Sequence, residues 1–94
     1  MIDFSDYQVP EHTQQALTDY IERGIPVGGF LHSVLCNDLM GAVTRADSSN
    51  LHALKDIVLW VYNCAPEACY GSEALYLRWT QEHPGRARGP KDID

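Results

Sequence analysis

Cys36, Cys64, Cys69 and His32 are the side chains of this 94-residue sequence best suited to metal or covalent chemistry. Three thiolates and one imidazole make a known structural zinc set. His32 and Cys36 lie one helical turn apart, and Cys64 and Cys69 are spaced C-x4-C. The usual C-x2-C knuckle is missing, however. Three small buried hydrophobes and one surface histidine is the plainer assignment. A thiol enzyme would draw on the same His32–Cys36 pair, with nucleophile and base at i, i+4. Nothing in the sequence exposes or acidifies Cys36, whose neighbours Val34 and Leu35 are apolar. The sequence therefore predicts no catalytic residue, no bound metal and no cofactor, with a small zinc or thiol protein as the third alternative.

A second group of residues is suited to holding a ligand. Gly28 and Gly29 stand directly before an apolar stretch of helical spacing, where free N–H groups attract anions and a ligand can approach the backbone. Asn37-Asp38, Arg45-Ala46-Asp47 and Asn50 follow, and Tyr62-Asn63 closes the next element. Helix caps account for Asn37, Asp47 and Ser72. The sharper expectation is one pocket with Gly28 and Gly29 as backbone donors and Arg45 as the charge partner. Asn37, Asn50 and Asn63 would read polar edges, and Tyr62 would stack a base.

These residues need helices to position them. Pro10 suits a first helical position, Leu17, Tyr20 and Ile21 form a stripe, and Gly24 is a left-handed stop, which predicts a helix over 10–23. Phe30, Leu31, Val34 and Leu35 predict a second over 29–36. Leu39 and Val43 extend the pattern into a third over 38–46, with Asn37 as its N-cap. Leu51, Leu54, Ile57, Val58, Val61 and Tyr62 predict a helix over 49–63 that stops before Pro66. Ser72 caps a last one over 73–83. No stretch alternates long enough to be a strand. The expected fold is all-α, a compact orthogonal bundle of four to five short helices. Leu17, Ile21, Leu35, Leu39, Leu54, Ile57, Val58, Val61 and Trp79 should form its core. Residues 1–9 read as an N-terminal arm, 10–85 as a single helical domain, and 86–94 as a flexible tail.

Charge narrows the partners. The sequence carries a net charge of −6, and residues 1–85 hold eleven acids against four bases. Phosphate neutralisation needs clustered Lys and Arg, so general nucleic-acid binding is excluded. No apolar run approaches a membrane span, and the N-terminus has no secretory pattern, so reduced thiols in a cytoplasm are expected. A domain this small gains most easily in buried area by self-association, so a homo-oligomer is expected.

The string GIPVGGFLHSVLCNDLMGAVTRAD, then Asn50, VYNCAP at 61–66 and Gly71-Ser72, resembles a family of small proteins of tailed phages and prophages. The likeness covers about residues 10–83. It implies a bacterial host cytoplasm during infection and a role against host defence. Two modes follow. One is non-enzymatic sequestration of a nucleotide-derived immune signal, an ADP-ribose derivative or cyclic oligonucleotide. The other is an acidic inhibitor of a host defence protein, comparable to an anti-CRISPR, whose face would include Asp19, Glu22 and Asp56.

Overall fold

The computed structural model describes residues 2–83, which fold into an all-α bundle without strands among the described residues. The segment 86–94, expected as a tail, lies outside them. No helix of the described residues is long and apolar enough to cross a membrane.

Helix α1 (Glu11–Arg23) begins one residue after Pro10, whose carbonyl accepts from the N–H groups of Thr13 and Gln14. It buries Thr13, Leu17 and Tyr20 on one stripe at i, i+4, i+7. Gly24 ends it at φ 68°, in the left-handed region. A side chain there would also run into His83, so the position excludes one twice over.

Helices α2 (Gly29–Leu35) and α3 (Leu39–Arg45) are two separate short helices packed on each other. The break between them differs from expectation in its capping. Asn37 is not the N-cap of α3. It sits at φ 64°, its N–H donates to Val34 O, and the N–H of Asp38 donates to Ser33 O. That is a Schellman closure of α2, with the residue type that best tolerates a left-handed backbone after glycine. The carboxylate of Asp38 then caps α3, accepting from the Gly41 N–H at 3.0 Å.

The helix expected over 49–63 is divided. Helix α4 (Ser48–His52) is capped by Asp47, whose side chain accepts from Asn50 N–H at 2.8 Å. Helix α5 (Leu54–Cys64) follows after Ala53, which interrupts the ladder at φ −97°, ψ 8°. Asn50 rather than Leu51 takes the inward position, because its amide is tied to Thr13 of α1. The chain then turns at Pro66 into a single 3₁₀ turn, Glu67–Cys69. Helix α6 (Glu73–Glu82) starts at Ser72, which accepts from Leu75 N–H.

Leu17, Leu35, Ile57 and Val61 are buried as expected, and Ile21, Leu54 and Trp79 pack partly buried against them. Leu39 and Val58 are corrections: both are exposed. Residue 39 opens α3, which buries only Ala42, and residue 58 lies outside the arc that α5 turns inward through Ile57, Trp60 and Val61. Aromatic rings make up much of the core. Tyr20 stacks on Tyr76 with centroids 5.4 Å apart, and Trp79 donates from Nε1 to Tyr20 O.

The arm at 2–9 packs on the body of its own chain. Phe4 stacks on Trp60 with ring centroids 4.3 Å apart, and Trp60 Nε1 donates to Asp3 O at 2.9 Å. Val9 is buried, and Gln8 N–H donates to the Asp56 carboxylate at 2.8 Å. The arm thus belongs to the core rather than decorating it.

Candidate functional site

The packing of α3 on α2 depends on glycine at two points. A Cβ at residue 29 would meet Arg45 Cδ at 3.1 Å, so the arginine stem lies directly against α2. A Cβ at residue 41 would stand 2.6 Å from Arg45 Nη1 and 2.7 Å from Ser33 Oγ, and closer still to the Asp38 carboxylate. These three polar groups converge over the bare Cα of Gly41. Arg45 Nη1 donates to the buried Ser33 Oγ at 2.8 Å and lies 3.9 Å from Asp38 Oδ2. The guanidinium is thereby oriented while more than half of the side chain stays open to solvent.

Arg45 forms a ridge between two hollows. On one side a depression of about 530 Å³ is lined by Gly29, His32, Ser33, Cys36, Asp38 and Glu73. On the other, a smaller one of about 270 Å³ is floored by Gly28, Gly29, Thr13 and Asn50 and edged by His12 and Asp47. Both lie within or near the size range of small-molecule sites.

Asn50 is the notable group on the floor of the smaller hollow. The residue is over nine-tenths buried. Its Oδ1 accepts from the Thr13 hydroxyl, and its backbone N–H is taken by Asp47. No acceptor among the described residues is paired with its Nδ2. A buried amide donor left without an acceptor costs about 1–3 kcal/mol, and native structures seldom leave one so unless water or a ligand meets it.

The carboxyl of Asp47 is held below the usual carboxylate range, chiefly by the Asn50 N–H and then by the Ser49 hydroxyl. Its Oδ2 lies 3.4 Å from His12 Nε2. The hollow therefore offers an anionic edge and one oriented cation.

Four of the seven residues expected to form a pocket meet here: Gly28, Gly29, Arg45 and Asn50. Asn37 and Tyr62 line a different hollow of about 230 Å³ with Val34, Val58, Val61 and Tyr70. Asn63 is in neither and donates to the Tyr7 hydroxyl at 3.3 Å. The expected pocket is thus two places and one outlier. The anion-attracting role expected of the glycine turn is also reduced. Helix α2 has only seven residues, so its dipole is small, and Gly29 is needed for the approach of Arg45.

Sequence reasoning missed Ser33, Gly41, Thr13 and His12. Thr13 had a signal, a polar residue in register with Leu17 and Tyr20 on the buried stripe. Gly41 had one too, being glycine inside a helical pattern. Ser33 and His12 carried none.

The thiols do not assemble. Cys64 is exposed and Cys69 buried, and no three His, Cys, Asp or Glu side chains among the described residues could hold a metal ion. Burial pushes the Cys36 thiol up, with Glu73 and Asp38 adding to it. The His32 ring packs against Tyr76, 4.5 Å between centroids.

A further hollow, about 630 Å³, is a wide groove between the arm and α4–α5. The Asp56 carboxylate there already accepts from Gln8 N–H, and no polar side chain of its lining is buried. It is the weaker candidate.

Searches against family models, curated proteins and solved structures find no match to this chain.

Proposed function

We propose that this protein binds a nucleotide-derived small molecule in the paired hollows around Arg45 and sequesters it without transforming it. The observation that carries the proposal is the buried Asn50 amide, whose Nδ2 has no acceptor among the described residues and which floors a hollow beside an oriented arginine. A phosphate or carbonyl oxygen on the ligand would meet both donors.

The balance of charge favours a sugar-rich ligand over a polyanion. One arginine stands among Asp38, Asp47 and Glu73. A cyclic oligonucleotide would bring several phosphates to a single cation. An ADP-ribose derivative brings few phosphates and many hydroxyls, and carboxylates are good acceptors for ribose hydroxyls. In the setting implied by the resemblance of residues 10–83, such a protein would remove an immune signal of a defended bacterium.

Thermal shift and calorimetry with ADP-ribose, cyclic ADP-ribose and cyclic dinucleotides test the proposal. We expect an ADP-ribose compound to raise the melting temperature and to be recovered intact after denaturation. Arg45→Ala and Asn50→Asp should each abolish the shift, the second by replacing an amide donor with a carboxylate. A panel that leaves the melting temperature unmoved, or a ligand recovered as a cleaved product, overturns it.

A further inference from the structure

The hollow on the Ser33 side of Arg45 has a polar make-up of its own. Ser33 lines it from α2 and is only 2% exposed. Its Oγ accepts from Arg45 Nη1, and its own O–H has no acceptor among the described residues. Native structures seldom leave a buried hydroxyl proton so unless water or a ligand meets it. Two carboxylates line the same hollow. Asp38 accepts from the Gly41 N–H through Oδ1, and its Oδ2 has Arg45 Nη1 no nearer than 3.9 Å. Glu73, exposed in the first turn of α6, has no hydrogen-bond or ion-pair partner among the described residues. Burial pushes up the Cys36 thiol on the wall, and the charges of Glu73 and Asp38 add to it, so both reach into the hollow.

A group that fills this hollow must accept from Ser33 and Arg45 and donate to Asp38 and Glu73. A metal ion takes acceptors alone, and no three His, Cys, Asp or Glu side chains among the described residues could hold one. A bare phosphate takes donors alone and would meet two carboxylates unshielded. A hydroxyl does both, and a sugar carries several on one compact ring. We infer that the hollow lined by Ser33, Asp38 and Glu73 is a sugar-phosphate site. The sugar hydroxyls accept from the Ser33 O–H and donate to the two carboxylates, and the phosphate meets the open side of the Arg45 guanidinium. At about 530 Å³ the hollow has room for a pentose and its phosphate. The inference rests on the reading of Arg45 as the anchor of a ligand phosphate. It assigns the sugar end of that ligand to this hollow rather than to the one floored by Asn50.

Ribose 5-phosphate, titrated into the full isotope-labelled chain and followed by amide NMR, is the probe, with inorganic phosphate as the reference. We expect shifts at Gly29, Ser33 and Glu73, with a Kd of about 1 mM, the usual strength of a fragment this size. Binding should be about tenfold tighter than that of phosphate. Ser33→Ala and Glu73→Ala should each weaken it about fivefold or more while helical circular dichroism is retained. The second variant is the sharper one. Removing a carboxylate favours any phosphate by charge alone, so a weakening there reports a lost hydroxyl contact. Glu82→Ala, the same charge removed at the other end of α6, should not weaken binding. Ribose 5-phosphate that binds no tighter than phosphate, or not at all up to about 20 mM, overturns the inference. So do shifts centred on Thr13 and Asn50, or a Glu73→Ala variant that binds equally well or better. Failure of the wider reading looks different. Ribose 5-phosphate bound here, with no ADP-ribose compound bound, keeps the sugar-phosphate site and ends the nucleotide reading. An ADP-ribose compound bound, with ribose 5-phosphate no better than phosphate, does the reverse.

Discussion

Arg45 reaches Ser33 across a gap that exists because residue 41 has no side chain. A Cβ on Gly41 would stand 2.6 Å from Nη1 and 2.7 Å from Ser33 Oγ, too close to both ends of their 2.8 Å bond. Helix propensity alone would favour alanine there by about 1 kcal/mol. The sequence keeps glycine, and what that preserves is the position of the guanidinium.

Gly41→Ala therefore separates folding from positioning. The groups it displaces are the ends of Arg45 and Asp38, the latter the cap of α3, and the buried Ser33 hydroxyl, so the bundle should persist at a cost of about 1–2 kcal/mol. The Arg45 guanidinium should swing away from Ser33. The NMR signal of its Nε–H, or a crystal structure, reads the change. An unmoved Arg45 would mean that α3 shifts instead.

Phe4→Ala should cost about 3 kcal/mol in urea unfolding, the range for a buried aromatic ring. Phe4 is 8% exposed and covers Trp60. Its loss should also uncover the indole, shifting tryptophan emission to longer wavelength. A change below about 0.5 kcal/mol would show that the arm contributes no more than an ordinary surface segment.

The three cysteines should react in order of access. Cys64 is exposed, Cys36 partly buried with its thiol pushed up, and Cys69 buried. A disulfide reagent at neutral pH should modify Cys64 quickly, Cys36 slowly and Cys69 only on unfolding. Mass spectrometry of the labelled peptides gives the order directly. Fast labelling of Cys36 would contradict the position of Glu73 and Asp38 beside it.

Stability should fall above about pH 9. Burial raises the Cys69 thiol from 9.0 to about 12, so the folded chain holds its proton where the unfolded chain releases it. Stability from this group is full below pH 9 and is lost as pH rises toward 12, by about 1.4 kcal/mol per unit. Tyr20 adds a fall beginning near pH 10, because burial raises its phenol as well. Cys69→Ala should flatten the profile between 9 and 10 in urea titrations at each pH. A wild-type profile that is already flat there would place Cys69 in contact with water.

The helices were legible in the sequence because caps and stripes are local. Gly24, Asp47 and Ser72 act where their types predict. The inward face was less legible. An apolar stripe on α5 is wider than the arc the protein buries, and nothing in Val58 or Tyr62 says they fall outside it. Asn37 illustrates a related limit: Asn suits both ends of a helix, and the adjacent Asp38 decided which end it serves. Half of the pocket was legible, since polar residues at helix ends drew attention to Arg45 and Asn50. The rest depends on which ends meet, and that is set by contacts such as Thr13–Asn50, 37 residues apart.

The stacking of Phe4 on Trp60 also has a kinetic side. Asp3 and Trp60 are bonded across 57 residues, and Gln8 reaches Asp56 across 48. Closing loops of that length costs entropy before any contact rewards it. The arm is also held to the body by contacts outside any helix, so it can leave without breaking a helical ladder. Its departure opens the indole face while the hydrogen bonds within the six helices stay closed. Amides of residues 5–9 should exchange with solvent ahead of those in α1 and α5, and that early opening is where a protease would enter the molecule.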